Sequence, residues 1–167
     1  KIQLFRGNIN DVAKRIINCA KKNSIEIIVR ITADCPIIEP NIIDKCIKLY
    51  FKKKKDYVSN TLNLSFPDGL DVEVFSLEAL IKSQNLSKTG FNKEHVTPYI
   101  KKSSKFMKYN YKNNKDYSNR RWTLDNLEDF FFIKKVVKYF FPNIYFSWKD
   151  LLKAEKFQSH LINIKKR

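Results

Sequence analysis

At 167 residues, 43% hydrophobic and 14% aromatic, the chain is too apolar for a disordered tail and long enough for one compact domain burying roughly 70% of its unfolded surface. No apolar run approaches the roughly 20 residues needed to cross a bilayer and the start lacks a signal peptide's layout, so a cytoplasmic setting without a membrane partner is expected. The net charge of +16 would fit a polyanion partner, but 27 of the 33 cations are dispersed lysines rather than the arginine forks of sequence-specific binders, which argues against nucleic acid.

In chain order, Val12, Ile16, Ile17 and Cys19 or Ala20 recur at helical spacing behind Asn10 or Asp11, either of which can cap the helix. "IEIIVRI" (25–31) reads as a strand buried on both faces, because apolar residues dominate without alternation. Pro40 opens a helix with Ile42, Ile43, Cys46, Ile47 and Tyr50 on its inner side. "DYVSN" (56–60) is a short strand, and an irregular loop with Pro67, Asp68 and Gly69 follows. "DVEVF" (71–75) alternates like a half-exposed strand, and Ser76 caps a helix to Leu86. Further on come a helix over 94–103, an alternating strand over 105–111, a strand "RRWTL" (120–124), an amphipathic helix over 126–140 and a last helix over 147–157. Strands alternating with helices across short links predict one domain, a three-layer α/β/α sandwich with a mainly parallel sheet. The alternating strands at 71–75 and 105–111 would form an antiparallel extension.

Ligands of open α/β sheets bind beyond the carboxyl ends of the strands. Asp34 and Asp125 each stand just past such an end, in "VRITADCP" and "RRWTLDN". If both strands are central, the carboxylates share one crevice and suit magnesium, which takes one or two carboxylates and leaves its other positions to water and phosphate. The alternative for each aspartate is to cap the helix that follows. The three cysteines, Cys19, Cys35 and Cys46, have no zinc spacing, and Cys35 has no histidine nearby, so packing is their expected role.

The blocks "FRGNINDVAKR", "IVRITADCPIIEPNIID", "DYVSN", "FPDGLDVEVFSLEAL", "KEHVTPYI" and "RWTLDNLEDF", in that order and spacing, resemble the cytidylyltransferases of the spore-coat polysaccharide (SpsF) type, relatives of CMP-sialate and CMP-Kdo synthetases. The resemblance implies a nucleotide-diphospho-sugar transferase-like fold and transfer of CMP from CTP to an acidic sugar, with Mg2+ held by Asp34 and Asp125. It places Arg6, Gly7 and Asp11 in a segment that positions the nucleotide. It places Arg30, Asp68, Asp71, Glu73, Glu94 and His95 along the sugar side of the cleft. It also implies a homodimer formed through the antiparallel extension.

One block of that family pattern is absent: the basic, glycine-containing loop Gln-Ala-Arg-x-x-Ser-x-Arg-x-Pro-x-Lys that holds the triphosphate. The chain therefore reads as N-terminally truncated, the C-terminal two-thirds of a cytidylyltransferase, inactive alone. The other reading is a catalytically inactive remnant that binds a nucleotide or sugar. Several candidates carry an ordinary role beside the functional one. Arg30 suits a carboxylate or phosphate, or else pairs a nearby acid. Glu94 and His95 are expected to begin a helix, where backbone donors favour anions, or His95 simply packs. "PDGLD" (67–71) suits sugar hydroxyls or is a plain turn. Arg121 is expected to face the nucleotide, Trp122 the core, and His160 lies in a basic tail without a special role.

Overall fold

The computed structural model describes residues 2–87 and 89–157; His160 lies outside them. The described residues form seven helices and four strands, in the order α1 Val12–Lys22, β1 Ile27–Arg30, α2 Pro40–Lys53, β2 Tyr57–Ser59, β3 Glu73–Ser76, α3 Leu77–Leu86, α4 Gly90–His95, α5 Pro98–Lys102, β4 Lys108–Asn110, α6 Leu127–Phe140 and α7 Trp148–Phe157. Local chemistry sets most of the starts. Asp11 accepts from the Lys14 amide at 2.8 Å and Ser76 from the Ala79 amide at 3.0 Å. Glu39 caps α2 ahead of Pro40. Asn126 and Asp129 form a reciprocal capping box on α6.

The sheet has the order β1-β3-β2-β4. β3 runs antiparallel to both neighbours, pairing Glu73 with Arg30 on one side and Ser59 on the other, while β2 and β4 are parallel. Three strands thus point one way, and β3, inserted between β1 and β2, points the other. Two expectations change in detail. Residues 71–75 do supply an antiparallel strand, but a central one, and 105–111 joins at the margin as β4, parallel to its neighbour β2.

Period-two alternation divides the core between the two faces. Val58 and Val74 pack under α2, α6 and α7 with Cys46, Phe132, Val136 and Leu151. Tyr57 and Phe75 pack on the other side with Ala13 of α1, Leu80 of α3, Val96 just past α4 and Ile100 of α5. This is the three-layer sandwich. The polar positions of "DVEVF" misled: Glu73 is 3% exposed because it is paired inside the protein, not because the strand faces water.

"IEIIVRI" is the opposite case. β1 is the edge of the described sheet, and Ile25, Val29 and Ile31 are each about 40% exposed beside an apolar groove of about 350 Å³. The "RRWTL" segment is not a strand; an isolated parallel bridge pairs its Arg121 with Asp68. The helix expected over 94–103 is broken at Val96, whose φ of 72° and ψ of −56° close a γ-turn through a 2.8 Å bond from the Thr97 amide to the His95 carbonyl. Among the described residues no helix is long and apolar enough to cross a membrane.

Candidate active site

Because β3 is reversed, its first residue, Glu73, lies beside the last residues of β1 and β2, Arg30 and Ser59. That edge carries the loops 31–39, 60–72 and 111–126. Backbone bonds tie them together. The Leu124 amide donates to the Asp34 carbonyl at 2.8 Å, which brings the two proposed metal loops into contact. The Asp68 amide donates to the Arg120 carbonyl at 2.9 Å, and the Trp122 amide returns to the Asp68 carbonyl at 2.7 Å. Gly69 makes this approach possible: its φ is +103°, and a Cβ there would lie 2.7 Å from the Trp122 carbonyl carbon and oxygen.

Neither aspartate is a helix cap. α2 is capped by Glu39 and α6 by Asn126, so the ordinary role weighed for Asp34 and Asp125 belongs to other residues. Asp34 is half-buried, and the Asp125 side chain is 49% exposed. Arg121 sits among carboxylates, bonded to Asp125, 3.3 Å from Asp68 and 3.4 Å from the buried Asp129. Burial works to lower its pKa, but Asp125 and Asp129 raise it above the usual value. Asp129 in turn accepts from the Asp125 and Asn126 amides, which fixes the loop that presents Asp125. The Thr123 hydroxyl beside these groups is buried with no hydrogen-bond partner among the described residues.

The acids available to a divalent cation here are Asp34 and Asp125, the latter bonded to Arg121. Among the described residues no three acidic, histidine or cysteine side chains are grouped to hold a metal. Magnesium in general is held by one or two protein carboxylates, with waters and substrate phosphates in its other positions, and Asp34 and Asp125 stand on loops joined by a backbone bond.

A second cluster lies at the same edge. Glu73 accepts from Arg30 at 2.5 Å, Lys101 at 2.9 Å, the Tyr57 hydroxyl at 2.6 Å and the Thr97 hydroxyl at 2.7 Å. Burial alone would raise its pKa, but Lys101 and Arg30, helped by the Tyr57 bond, hold it down at about 2. Glu73 therefore faces inward as an anchor rather than lining the cleft. Arg30 takes the pairing role weighed for it, with Glu73 as the acid.

The remaining candidates divide. Asp71 is close enough to Cys35 to raise its thiol pKa, so "PDGLD" and "TADC" are neighbours. Burial, then Asp34 and Asp71, push that thiol up to about 11 against a hydrogen bond from Thr32, and a buried thiol of this kind is no nucleophile. Arg6, Gly7 and Asp11 belong to the approach to α1, where Asp11 is the cap and Gly7 lies against Arg15. Glu94 and His95 end α4 rather than begin a helix; both are exposed, and the His95 ring lies 4.4 Å from that of Phe91. The backbone-donor argument for an anion there is thereby lost. Lys101 and Thr97 were not anticipated. Pro98 was the available signal, because proline at the first turn of α5 marks a new helix start just after Thr97.

Comparison with known proteins agrees with this architecture. The chain is 37% identical over 142 residues to an uncharacterized protein of Methanocaldococcus jannaschii, covering 83% of this chain and 57% of that protein. It is 30% identical over 100 residues to the spore coat polysaccharide biosynthesis protein SpsF of Bacillus subtilis, covering 59% of this chain and 40% of that one. The chain thus spans about half the length of the curated relatives it matches. The solved structure of a cytidylyltransferase from Leptospira borgpetersenii serovar Hardjo-bovis superposes with a TM-score of 0.90 at 34% identity, over 95% of this chain and 67% of that one. The cytidylyltransferase profile matches residues 1–163, and the chain belongs to that family.

Proposed function

We propose that this chain supplies the cation- and sugar-binding part of an enzyme that transfers CMP from CTP to an acidic sugar, nonulosonate- or Kdo-like, for surface polysaccharide synthesis. The observation that carries the reading is the bond between Leu124 and Asp34, which brings the loops bearing Asp34 and Asp125 together at the ligand edge of the sheet, with neither acid spent on a helix cap. The family membership supports nucleotidyl transfer, and the named role of the Bacillus relative supports the polysaccharide setting.

In the reaction a sugar hydroxyl oxygen forms a bond to the α-phosphorus of CTP, the bond to the β-phosphate oxygen breaks, and pyrophosphate leaves as the hydroxyl proton is lost. Asp34 and Asp125 would hold Mg2+, which when bound neutralises phosphate charge. Arg121 orients Asp125, and the Gly69 turn holds Asp68 and Arg121 in register. Arg30 and Lys101 set a positive wall on the side toward α5.

Two measurements test this. Manganese or magnesium titrated into the chain should bind with Asp34 and Asp125 intact and weaken by about tenfold or more in Asp34→Asn and Asp125→Asn. In a protein of the relatives' full length, the same substitutions should lower sugar-dependent pyrophosphate release from CTP by about a hundredfold or more. Near-normal turnover in both variants would overturn the two-aspartate site.

A further inference from the structure

Glu73 is one buried carboxylate facing two cations. Its side chain is 4% exposed, whereas those of Arg30 and Lys101 are 21% and 33% exposed. The cluster therefore carries a surplus positive charge on its accessible side. The donors can be counted. Arg30 gives Nη1 to Glu73, which leaves the Nε and Nη2 edge of the guanidinium, the edge that grips an oxyanion in a two-point fork. Among the described residues Lys101 spends two of its three protons, on Glu73 and on the Thr61 hydroxyl at 3.1 Å, and keeps one. Thr61 is itself fixed by the Ser59 hydroxyl at 2.8 Å. Thr97, one turn before Lys101, is pinned to the same carboxylate at 2.7 Å.

The two cations are thus held at the strand ends from which the Asp34 loop departs, with hydrogen-bonding capacity left over. Ion pairing that only neutralised Glu73 would need one cation, not two.

We propose that Arg30 and Lys101, anchored by Glu73, form an anion-receiving subsite that takes the carboxylate of the acidic sugar, with Glu73 as its positioning residue. This deepens the transferase reading and rests on it for the source of the carboxylate. It also names Lys101 as the residue that makes the acceptor acidic rather than neutral. A neutral sugar in this place would leave two cations facing it with one counter-charge between them.

The test uses the 167-residue chain and residue-resolved NMR, with pyruvate as the carboxylate probe and inorganic phosphate as the competing oxyanion. Pyruvate should produce saturable shifts at the Arg30 Nε–H and the Thr61 amide, and none that saturate along Lys52–Lys55. Lys101→Met should weaken that binding by about tenfold. Arg30→Lys, which keeps the charge on Glu73 and so protects the fold, should weaken it similarly because the fork is gone. Wild-type titration in both variants, or no shift at Arg30 and Thr61, overturns the subsite. Saturation by phosphate alone overturns the carboxylate assignment and gives these cations to the nucleotide. A full-length enzyme that releases no pyrophosphate from CTP with any acidic sugar would sink the transferase reading, yet leave these titrations standing.

Discussion

A carboxylate with 3% of its surface exposed must be either neutral or compensated, and Glu73 is compensated by Arg30, Lys101, Tyr57 and Thr97. Its pKa is lowered from 4.5 to about 2 in the fold. A depressed carboxylate contributes stability that is present above its unfolded pKa and is lost as pH falls through its folded one. For Glu73 that window runs from 4.5 down to about 2, and the contribution is roughly 3 kcal/mol. Urea unfolding at several pH values should show wild-type stability falling through this window more steeply than that of Glu73→Gln. The variant should also be roughly 3 kcal/mol or more less stable at neutral pH, because two cations lose their counter-charge. Equal slopes would mean that Glu73 is not the titrating anchor. Burial makes the cysteines the reverse case, pushing Cys35 to about 11 and Cys46 to about 12. At about pH 8, iodoacetamide should label the half-buried Cys19 first and reach Cys35 and Cys46 only when the fold opens, as peptide mass spectrometry would show.

At the scale of elements, two glycines give opposite predictions. Gly69 has φ +103° and no room for a Cβ against the Trp122 backbone, so Gly69→Ala should destabilise by roughly 2–4 kcal/mol in thermal or urea unfolding. It should also part Arg121 from Asp68, because that turn sets their separation. Gly90 opens α4 with nothing within 4 Å of an added Cβ, so Gly90→Ala should be neutral or stabilising by up to about 1 kcal/mol. A comparable loss at both would show that the tight turn is not the reason. The elements themselves were legible where their causes are local: Asp11, Pro40, Ser76 and the Asn126 box announce helices within four residues of sequence. They were illegible where the cause is distant. β3 looked half-exposed because the partners of Glu73 lie 43 positions upstream at Arg30 and 24 downstream at Thr97. The break at Val96 was a misreading rather than a silence, since Pro98 could not sit inside a helix spanning 94–103.

For the whole molecule, the sandwich was legible from alternation of strands and helices, but the strand order was not, because pairing of β3 with both β1 and β2 is a non-local choice. The contact between the loops of Asp34 and Asp125 follows strand ends that the sequence marks, whereas the placing of Lys101 beside Glu73 had only Pro98 to announce it. Charge acts at this largest scale too. Against 33 lysines and arginines stand 17 acids, so cations outnumber the carboxylates that could pair with them; Lys101 and Lys153 are lysines that do form ion pairs. The remaining lysines repel one another through solvent, and compaction brings them closer than the unfolded chain does. Raising sodium chloride from about 0.01 M to about 0.15 M shortens the screening length from roughly 30 Å to roughly 8 Å. Relief of about 1 kcal/mol of repulsion would raise the melting temperature by about 3 °C. Chloride is the right salt for this measurement, because phosphate would also stabilise by mass action if it occupied Arg30 and Lys101. A melting temperature that stays flat or falls with chloride would mean that the lysine excess is already dispersed enough to cost nothing. A rise larger in phosphate than in chloride at equal ionic strength, and lost in Lys101→Met, would place the excess at that one pair of cations instead.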